Sequence, residues 1–282
     1  MNDIHKTIID YYDTCEIHYK RSWDLDNSMA IHYGFWDKNN NTLAKALRNE
    51  NILLAHYAHI NKSDLVLDAG CGVGGSAIFL AKEFGCKVVG ITLSEKQVQT
   101  AKYNANKCGV AALADFKKED FLCTTFPYNS YTVIWAIESL CHAPDKKAFL
   151  REAFRLLKNN SRIIIADGFL KEEELTYKEI KKMNNWLTAW GIPGLARINE
   201  LENYLKECGF EKITFMDMTE RIIPSSKHMF SMSVIVLPAA KVLEWLHFRK
   251  NIQTKHVIGA LYQYLTLRSK LWTYGIFYAE KT

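Results

Sequence analysis

The sequence lacks any apolar run long enough to cross a membrane as a helix. Its longest apolar stretches, such as residues 234–240, fall far short of the roughly 20 residues that a membrane-spanning helix needs. The amino-terminal MNDIHKTIID contains acidic residues and no apolar core of signal-peptide length. We therefore expect a cytoplasmic protein without a transmembrane segment, and leave peripheral membrane contact open.

Cysteine patterns that hold metals or form disulfide frameworks are missing as well. The seven cysteines are scattered and odd in number, with no C-x-x-C spacing, so we expect reduced thiols and no metal site. No basic face with interleaved aromatic residues accompanies the net charge of +5, so we expect no nucleic-acid partner. No Pro-, Gly- or Ser-rich linker interrupts the 282 residues, which favours one domain with additions.

From residue 64 onward, short β-branched runs alternate with helical segments, which is the pattern of βαβ units. Six strands are predicted along this part of the chain, at residues 65–68, 87–91, 114–118, 132–136, 162–167 and 211–217. A final run at 271–279 has strand composition and is expected to pair antiparallel with the sixth strand. We therefore predict an α/β protein with a Rossmann-like, seven-stranded, mostly parallel sheet whose last strand is antiparallel.

Helical segments flank and interrupt this sheet. Residues 1–60 show helical spacing broken by an aromatic loop, and we predict that they form a cap on a domain of residues 61–282. Two further segments, 171–197 and 219–270, are largely helical. The second is inserted between strands six and seven, and an excursion of roughly 50 residues is usually functional. We predict that both segments cover the active site.

The strongest local signal is the glycine-rich turn VLDAGCGVGG at residues 66–75. Glycines let the backbone turn tightly and let a ligand approach it, and their G-x-G-x-x-G spacing also fits dinucleotide-binding proteins. However, Asp68 would repel the pyrophosphate of NAD, and the second strand ends in ITLS without the expected acidic residue. The sulfonium and ammonium groups of S-adenosylmethionine suit this carboxylate better.

These residues resemble those of class I S-adenosylmethionine-dependent methyltransferases, whose first motif is similar to LDAGCG at 67–72. The segment GITLSEKQ at 90–97 is similar to the second-strand tip of sterol, tocopherol and cyclopropane fatty acid methyltransferases. IESLCHAPD at 137–145 resembles the segment after the fourth strand in the sterol and tocopherol group. HYGFW at 32–36 resembles the aromatic loop of geranyl diphosphate methyltransferases.

The resemblance implies that S-adenosylmethionine is the cofactor. The methionine end would lie along the glycine turn, the ribose and adenine beside the second strand, and the adenine amino group against Asp120. The departure from the family pattern is the missing acidic residue at the second-strand tip. The implied cofactor contacts are Asp68, Gly70, Cys71, Gly72, Thr92, Leu93, Gln97, Asp120, Phe121 and Ile137.

Methyl transfer from a sulfonium gains most from alignment, desolvation and a base for the acceptor, so few residue types are obligatory. Glu138 lies past the fourth strand, where it is either a base or cation stabiliser, or a structural acceptor of hydrogen bonds. His142 is a base near neutral pH or a cap of the following helix. Tyr33 and Trp36 either close over a cation or serve as packing anchors.

We predict methylation of a small lipophilic metabolite at carbon, with an isoprenoid, quinol or sterol-like acceptor. Tyr19, Trp23, Trp186 and Trp190 would form an aromatic acceptor pocket if their segments fold over the cofactor, although a plain core stripe is the alternative. A small-molecule N- or O-methyltransferase, an NAD-dependent oxidoreductase and a protein that binds the cofactor without using it stay open. So does assembly as a homodimer.

The choice between the two cofactors is testable by thermal unfolding. A ligand that binds only the folded state raises the melting temperature by mass action. We expect S-adenosylhomocysteine to raise the melting temperature and NAD at the same concentration to leave it unchanged. A rise with NAD alone would identify an oxidoreductase.

Overall fold

Seven strands form the central sheet of the computed structural model, which describes the backbone of residues 3–282 and the side chains of 5–20 and 23–282. Five of these strands come first in the chain, before the two strands that complete the antiparallel edge of the sheet. The strands are β1 (Leu65–Ala69), β2 (Lys87–Thr92), β3 (Ala114–Lys118), β4 (Tyr131–Ile137), β5 (Leu157–Leu170), β6 (Glu211–Asp217) and β7 (Trp272–Lys281).

The strand order is β3-β2-β1-β4-β5-β7-β6, with β1 to β5 parallel and β7 antiparallel to both β5 and β6. This confirms the predicted Rossmann-like sheet with an antiparallel last strand. The order of the strands reverses between β1 and β4, and a crevice for ligands opens at the carboxyl ends of the strands at such a point.

Helices pack on both sides of the sheet and over its carboxyl edge. The amino-terminal helices are α1 (Asp3–Ser22), α2 (Leu25–Ser28) and α3 (Leu43–Tyr57). The helices between strands are α4 (Gly75–Phe84), α5 (Glu95–Lys107), α6 (Lys146–Leu156), α7 (Tyr177–Leu187) and α8 (Ile198–Cys208). The insertion before β7 contains α9 (Thr219–Trp245) and α10 (Asn251–Arg268). In the part of the chain that the structure describes, no helix is long and apolar enough to cross a membrane.

Two predicted elements differ from the structure by more than two residues at an end. The fifth strand extends over Leu157–Leu170 instead of 162–167, because Leu157 pairs with Tyr131 of β4 and the residues from Ser161 to Leu170 pair with β7. The charged helix expected from residue 171 begins only at Tyr177. Thr176 caps it by accepting a hydrogen bond from the backbone of Glu179, whose side chain returns the bond in a capping box.

The inserted helices form a layer with the amino-terminal helices. The helix α10, in the segment between β6 and β7, packs against α7, α9 and α1. That this segment covers the active site stays a prediction. The assignment of residues 1–60 as a separate cap stays a prediction.

A largely buried ion pair joins the chain just after α3 to the amino-terminal edge of the sheet. The guanidinium of Arg162 on β5 donates to both carboxylate oxygens of Asp64, at 2.9 and 2.7 Å, and also to the carbonyls of Ala58 and His59. Burial opposes ionisation of Asp64, but the hydrogen bonds from Arg162, Thr132 and the backbone together lower its pKa. The pair therefore holds three chain segments in one place.

Replacing Arg162 with Leu should leave Asp64 buried without its cation. Loss of one partner of a buried pair costs about 3–5 kcal/mol of unfolding free energy, measured here by urea denaturation. The control is Arg48→Leu, which removes an exposed pair with Glu83 and should cost less than about 1 kcal/mol. Equal losses in the two variants would contradict this assignment.

Candidate active site

A cavity opens at the carboxyl ends of β1 and β4, where the strand order reverses. Its wall combines the glycine turn after β1, the tips of β2 and β4, and aromatic side chains from the helical covers. It contains about 1490 Å³ of space free of protein atoms, part of which is open to solvent. This candidate site therefore lies where the topology predicts one.

The glycine turn presents bare backbone to this cavity. Gly70 has φ +97°, and a Cβ atom there would lie 2.4 Å from the Cβ of Ser139. Gly72 has φ +52°, which also favours glycine, and the space beside it is open up to Ile31. The N–H groups of Gly70 and Cys71 both donate to the Ile91 carbonyl, at 3.0 and 2.9 Å. The turn is therefore fixed to β2 while its other side stays accessible.

Asp68 is a buried carboxyl group at the start of this turn. Its Oδ2 has no hydrogen-bond partner among the described residues, and burial raises its pKa to about 7 against one backbone hydrogen bond from Ala77. A buried carboxylate without a partner is costly, and a cation placed beside it removes most of that cost. The residue thus fits the ammonium group of S-adenosylmethionine, which this carboxylate would hold.

The structure brings nearly all of the predicted cofactor residues to one cavity. Nine of the ten line it: Asp68, Gly70, Cys71, Gly72, Thr92, Leu93, Gln97, Phe121 and Ile137. The hydroxyl of Thr92 donates to Gln97 Oε1 at 2.6 Å, which fixes both side chains at the tip of β2. Asp120 is outside the wall, where its Oδ2 lies 3.2 Å from His5 Nε2, and its neighbour Glu119 lines the cavity instead. The role of Asp120 toward adenine stays a prediction.

Glu138, the leading candidate for a base, lies in the cavity wall just past β4. Its backbone has φ +47°, a strained conformation for a residue other than glycine and a common feature of functional sites. Its Oε1 accepts hydrogen bonds from the backbone N–H of Tyr33 at 2.7 Å and from the hydroxyl of Tyr274 at 3.0 Å. The side chain is therefore held in one orientation.

A second buried carboxyl group, which the sequence interpretation missed, lies beside Glu138. The hydroxyl of Tyr274 is 2.7 Å from Oε1 of Glu50, whose Oε2 accepts from the Gly34 N–H and lies 2.6 Å from His32 Nδ1. The one hydroxyl proton of Tyr274 thus lies between two carboxyl groups, which share it. Burial, together with the nearby charge of Glu50, raises the pKa of Glu138 well above its ordinary value.

Asp167 adds a further carboxyl group to the same cavity, at the end of the parallel part of β5. Its oxygens accept from the backbone N–H groups of Cys141 at 2.8 Å and Gly168 at 2.7 Å. Burial raises its pKa to about 6, although these two hydrogen bonds lower it. Asp167 therefore fixes the short 3₁₀ turn Leu140–His142 that follows Glu138.

His142 lines the cavity with both ring nitrogens engaged. Its Nδ1 lies 3.2 Å from the carbonyl of Gly191, which can only accept, so Nδ1 carries the hydrogen and Nε2 accepts from the Tyr12 hydroxyl at 2.9 Å. Burial lowers its pKa to about 4, so the ring is neutral. The helix-capping alternative is wrong, because Asp145 itself caps α6 by accepting from the N–H of Ala148.

The two residues predicted in the aromatic loop, Tyr33 and Trp36, differ in whether they line the cavity. The ring of Tyr33 lines the cavity, while its hydroxyl donates to Gln263 on α10 and its carbonyl accepts from Ser225 on α9. Trp36 does not line the cavity, because its indole N–H donates to Ser225 at 2.7 Å. Of the pair, only Tyr33 can face a cation in the site.

The amino-terminal segment and the segment 171–197 supply the predicted aromatic pocket. The four residues expected there all line the cavity: Tyr19, Trp23, Trp186 and Trp190. Trp272 at the start of β7 also lines it, and its ring lies 4.5 Å from that of Trp186. Tyr11 and Tyr12 from α1 extend the same wall. The side facing the glycine turn is thus largely aromatic.

One cluster outside this wall has metal-ligand chemistry. Ligand atoms of Cys15, His18 and His256 lie within 4.8 Å of one another. The guanidinium of Arg249 lies 2.8 Å from His18 Nε2 and places a positive charge where a metal ion would add another. The absence of a metal from this protein stays a prediction.

Comparisons with known proteins agree with this geometry. Residues 67–165 match a family model described as a methyltransferase domain. The 27-O-demethylrifamycin SV methyltransferase of Amycolatopsis mediterranei is 31% identical over 199 residues, which cover 69% of this chain and 71% of that protein. The chain belongs to the S-adenosylmethionine-dependent methyltransferases. This family membership confirms the resemblance drawn from the motifs and S-adenosylmethionine as the cofactor.

This methyltransferase is also similar to the sterol 24-C-methyltransferase of Saccharomyces cerevisiae, with 30% identity over 222 residues, or 78% of this chain. The match spans 57% of the length of that relative. A solved structure of a mycolic acid cyclopropane synthase superposes with a TM-score of 0.84 at 16% identity and 98% coverage of both chains. At that identity, the superposition supports the fold alone.

Replacing Asp68 with Asn should separate stability from cofactor binding. The pKa of Asp68 is higher in the folded protein than in the unfolded chain. Ionisation of Asp68 therefore lowers the free energy of unfolding as the pH rises from about 4 to 7. At pH 8 the ligand-free variant should therefore be more stable by at least about 1 kcal/mol in urea denaturation.

The same variant should bind S-adenosylhomocysteine at least about tenfold more weakly in calorimetry, because the ammonium loses a charged partner. The affinity of the wild type should fall between pH 8 and pH 6, as the carboxylate takes up a proton at about pH 7. Unchanged affinity in the variant would remove Asp68 from the cofactor site.

Proposed function

We propose that this methyltransferase transfers a methyl group to a carbon atom of a small lipophilic metabolite, of the isoprenoid, quinol or sterol-like kind. The observation that carries the proposal is a single cavity with three parts. It combines the glycine turn with Asp68, one of whose oxygens has no partner, a wall of aromatic side chains, and the partly buried carboxyl group of Glu138.

The chemistry of the wall favours an apolar acceptor. Tryptophan and tyrosine rings supply large apolar surfaces, and a polar metabolite would leave its hydrogen-bonding groups unpaired against them. The relative named as a sterol 24-C-methyltransferase supports the same class of acceptor. A bound acceptor that fills the cavity would displace water from the reacting atoms, which strengthens charge interactions there.

Bound S-adenosylmethionine supplies an electrophilic methyl group and takes up the electrons of its carbon–sulfur bond. For an acceptor with a carbon–carbon double bond, the π electrons form the new carbon–carbon bond and a positive charge develops on the neighbouring carbon. The ring faces of Tyr33 and the other wall residues stabilise such a cation. Loss of a proton then restores the double bond.

Glu138 is the residue we assign to that proton. A carboxylate with a raised pKa is a stronger base than an ordinary glutamate, and the developing positive charge favours its ionised form at the moment of transfer. The hydrogen bonds from Tyr33 and Tyr274 orient it. His142 is assigned a positioning role, because both of its nitrogens are bonded to Tyr12 and Gly191.

Methylation of a hydroxyl or amine is the second candidate function. The 27-O-demethylrifamycin SV methyltransferase among the relatives favours it, and Glu138 could equally take a proton from such a group. For the protein as a whole we propose a cytoplasmic location, supported by seven free cysteines, and a small-molecule partner. Assembly as a homodimer stays a prediction.

Replacing Glu138 with Gln should lower kcat by about 100-fold or more, because the amide accepts the same hydrogen bonds but takes up no proton. The affinity for S-adenosylhomocysteine should change less than about threefold. In the wild type, kcat should rise with pH as Glu138 ionises, and this rise should be absent in the variant. Glu83→Gln, at an exposed carboxylate, is the matched control.

The assay uses cofactor with a ¹³C-labelled methyl group and a panel of prenyl diphosphates, prenylated quinols and sterols, with hydroxyl and amine analogues. The chemical shift of the product methyl group distinguishes carbon from oxygen and nitrogen acceptors. Methylation of only the hydroxyl or amine compounds would support the second candidate. Full turnover by Glu138→Gln would remove the proposed base.

A further inference from the structure

The second half of α9 exposes an apolar face to solvent. Exposed side chains recur there at helical spacing and form what we call the apolar stripe: Met232, Ile235, Val236, Val242, Leu243 and Leu246. The buried residues Ser233 and Ala240 lie on the other side of the helix, against the protein. This part of α9 is therefore largely apolar all round, which is usual only where a helix is covered on every side.

Two large aromatic side chains extend the stripe at its carboxyl end. Trp245 is 78% exposed and Phe248, in the connection to α10, is 81% exposed. Single exposed apolar residues are ordinary on soluble proteins, but a contiguous apolar patch marks a site of interaction. The end of α9 thus projects tryptophan and phenylalanine rings outward beside the stripe.

The segment that contains the apolar stripe also has an excess of basic residues. Residues 221–268 contain seven of the 36 lysines and arginines but only one of the 31 acidic residues, Glu244. The segment therefore carries a charge of +6, and the rest of the chain carries −1. Lys241, Lys250 and Lys255 are exposed near the end of the stripe.

The apolar stripe and the positive charge together indicate what kind of partner binds this surface. A symmetric contact between two copies would bring the same excess of cations face to face, which is unfavourable. An anionic lipid bilayer satisfies both properties, since its acyl region takes up the apolar side chains while lipid headgroups attract the lysines. Tryptophan is also enriched at the boundary between lipid and water.

We propose that the apolar stripe, with Trp245 and Phe248, docks this methyltransferase on an anionic membrane surface. The helix lies in the membrane interface and does not cross it, since no described helix is long and apolar enough to span a bilayer. The stripe begins with Met232, one helical turn after Met229, which lines the active-site cavity. Delivery of a lipophilic acceptor from the bilayer rests on the proposed function, whereas docking itself does not.

The test is sedimentation of the full chain with vesicles in the presence of S-adenosylhomocysteine. One set is phosphatidylcholine alone and the other contains roughly a third phosphatidylglycerol. The wild type should bind the anionic vesicles at least about tenfold more tightly, and 0.5 M salt should weaken this binding. Trp245→Ser/Phe248→Ser and, separately, Lys241→Glu/Lys250→Glu should each lose at least about tenfold in affinity for anionic vesicles.

The matched control is Tyr103→Ser/Tyr177→Ser, which removes two exposed aromatic rings from other helices and should bind as the wild type does. All variants should bind S-adenosylhomocysteine with unchanged affinity. A variant that is misfolded or has lost the cofactor site would fail this measurement, which distinguishes it from a variant that has lost only vesicle binding. Absence of vesicle binding by the wild type would overturn the proposal. So would equal binding by the Trp245 and Phe248 variant, or a dimer in sedimentation velocity that this variant abolishes.

Discussion

The cost of burying carboxyl groups is the constraint on which the active site depends. Asp68, Glu138 and Asp167 all line one cavity, and Glu50 is fully buried behind it. Burial raises the pKa of the first three, because an ionised group in an apolar setting loses its hydration. The fold stabilises these groups unequally. Asp167 receives two backbone hydrogen bonds, Glu138 receives one backbone and one hydroxyl hydrogen bond, and one oxygen of Asp68 receives none.

This inequality assigns different tasks to chemically similar groups. Asp68, with one oxygen unpartnered, gains most from a bound cation, while Asp167, with two backbone hydrogen bonds, holds the turn after β4 in place. Glu138 also has two partners, but one of them, the Tyr274 hydroxyl, is shared with Glu50. The helices α1 and α7 complete the arrangement, because their aromatic side chains form much of the wall around these groups.

Much of the fold follows from local sequence patterns. The alternation of apolar runs and helical segments fixes the strands, and the glycine turn identifies the crevice because few other structures require so much bare backbone. The ends of elements are less predictable. The amino-terminal end of β5 reads LKNN in sequence and looks like a loop, and only the pairing of Leu157 with Tyr131 at the start of β4 extends the strand that far. Glu50 is hidden for a similar reason, since it lies among polar residues of α3 and its burial depends on Tyr274, more than 200 residues later.

The backbone of Tyr33 is fixed at both of its polar groups. Its N–H donates to Glu138 at the tip of β4, and its carbonyl accepts from Ser225 on α9. A displacement of α9 would therefore move the residue whose N–H holds the Glu138 carboxyl group. The position of α9 and the hydrogen bonding of Glu138 are coupled through this one residue, although the two lie far apart in the sequence.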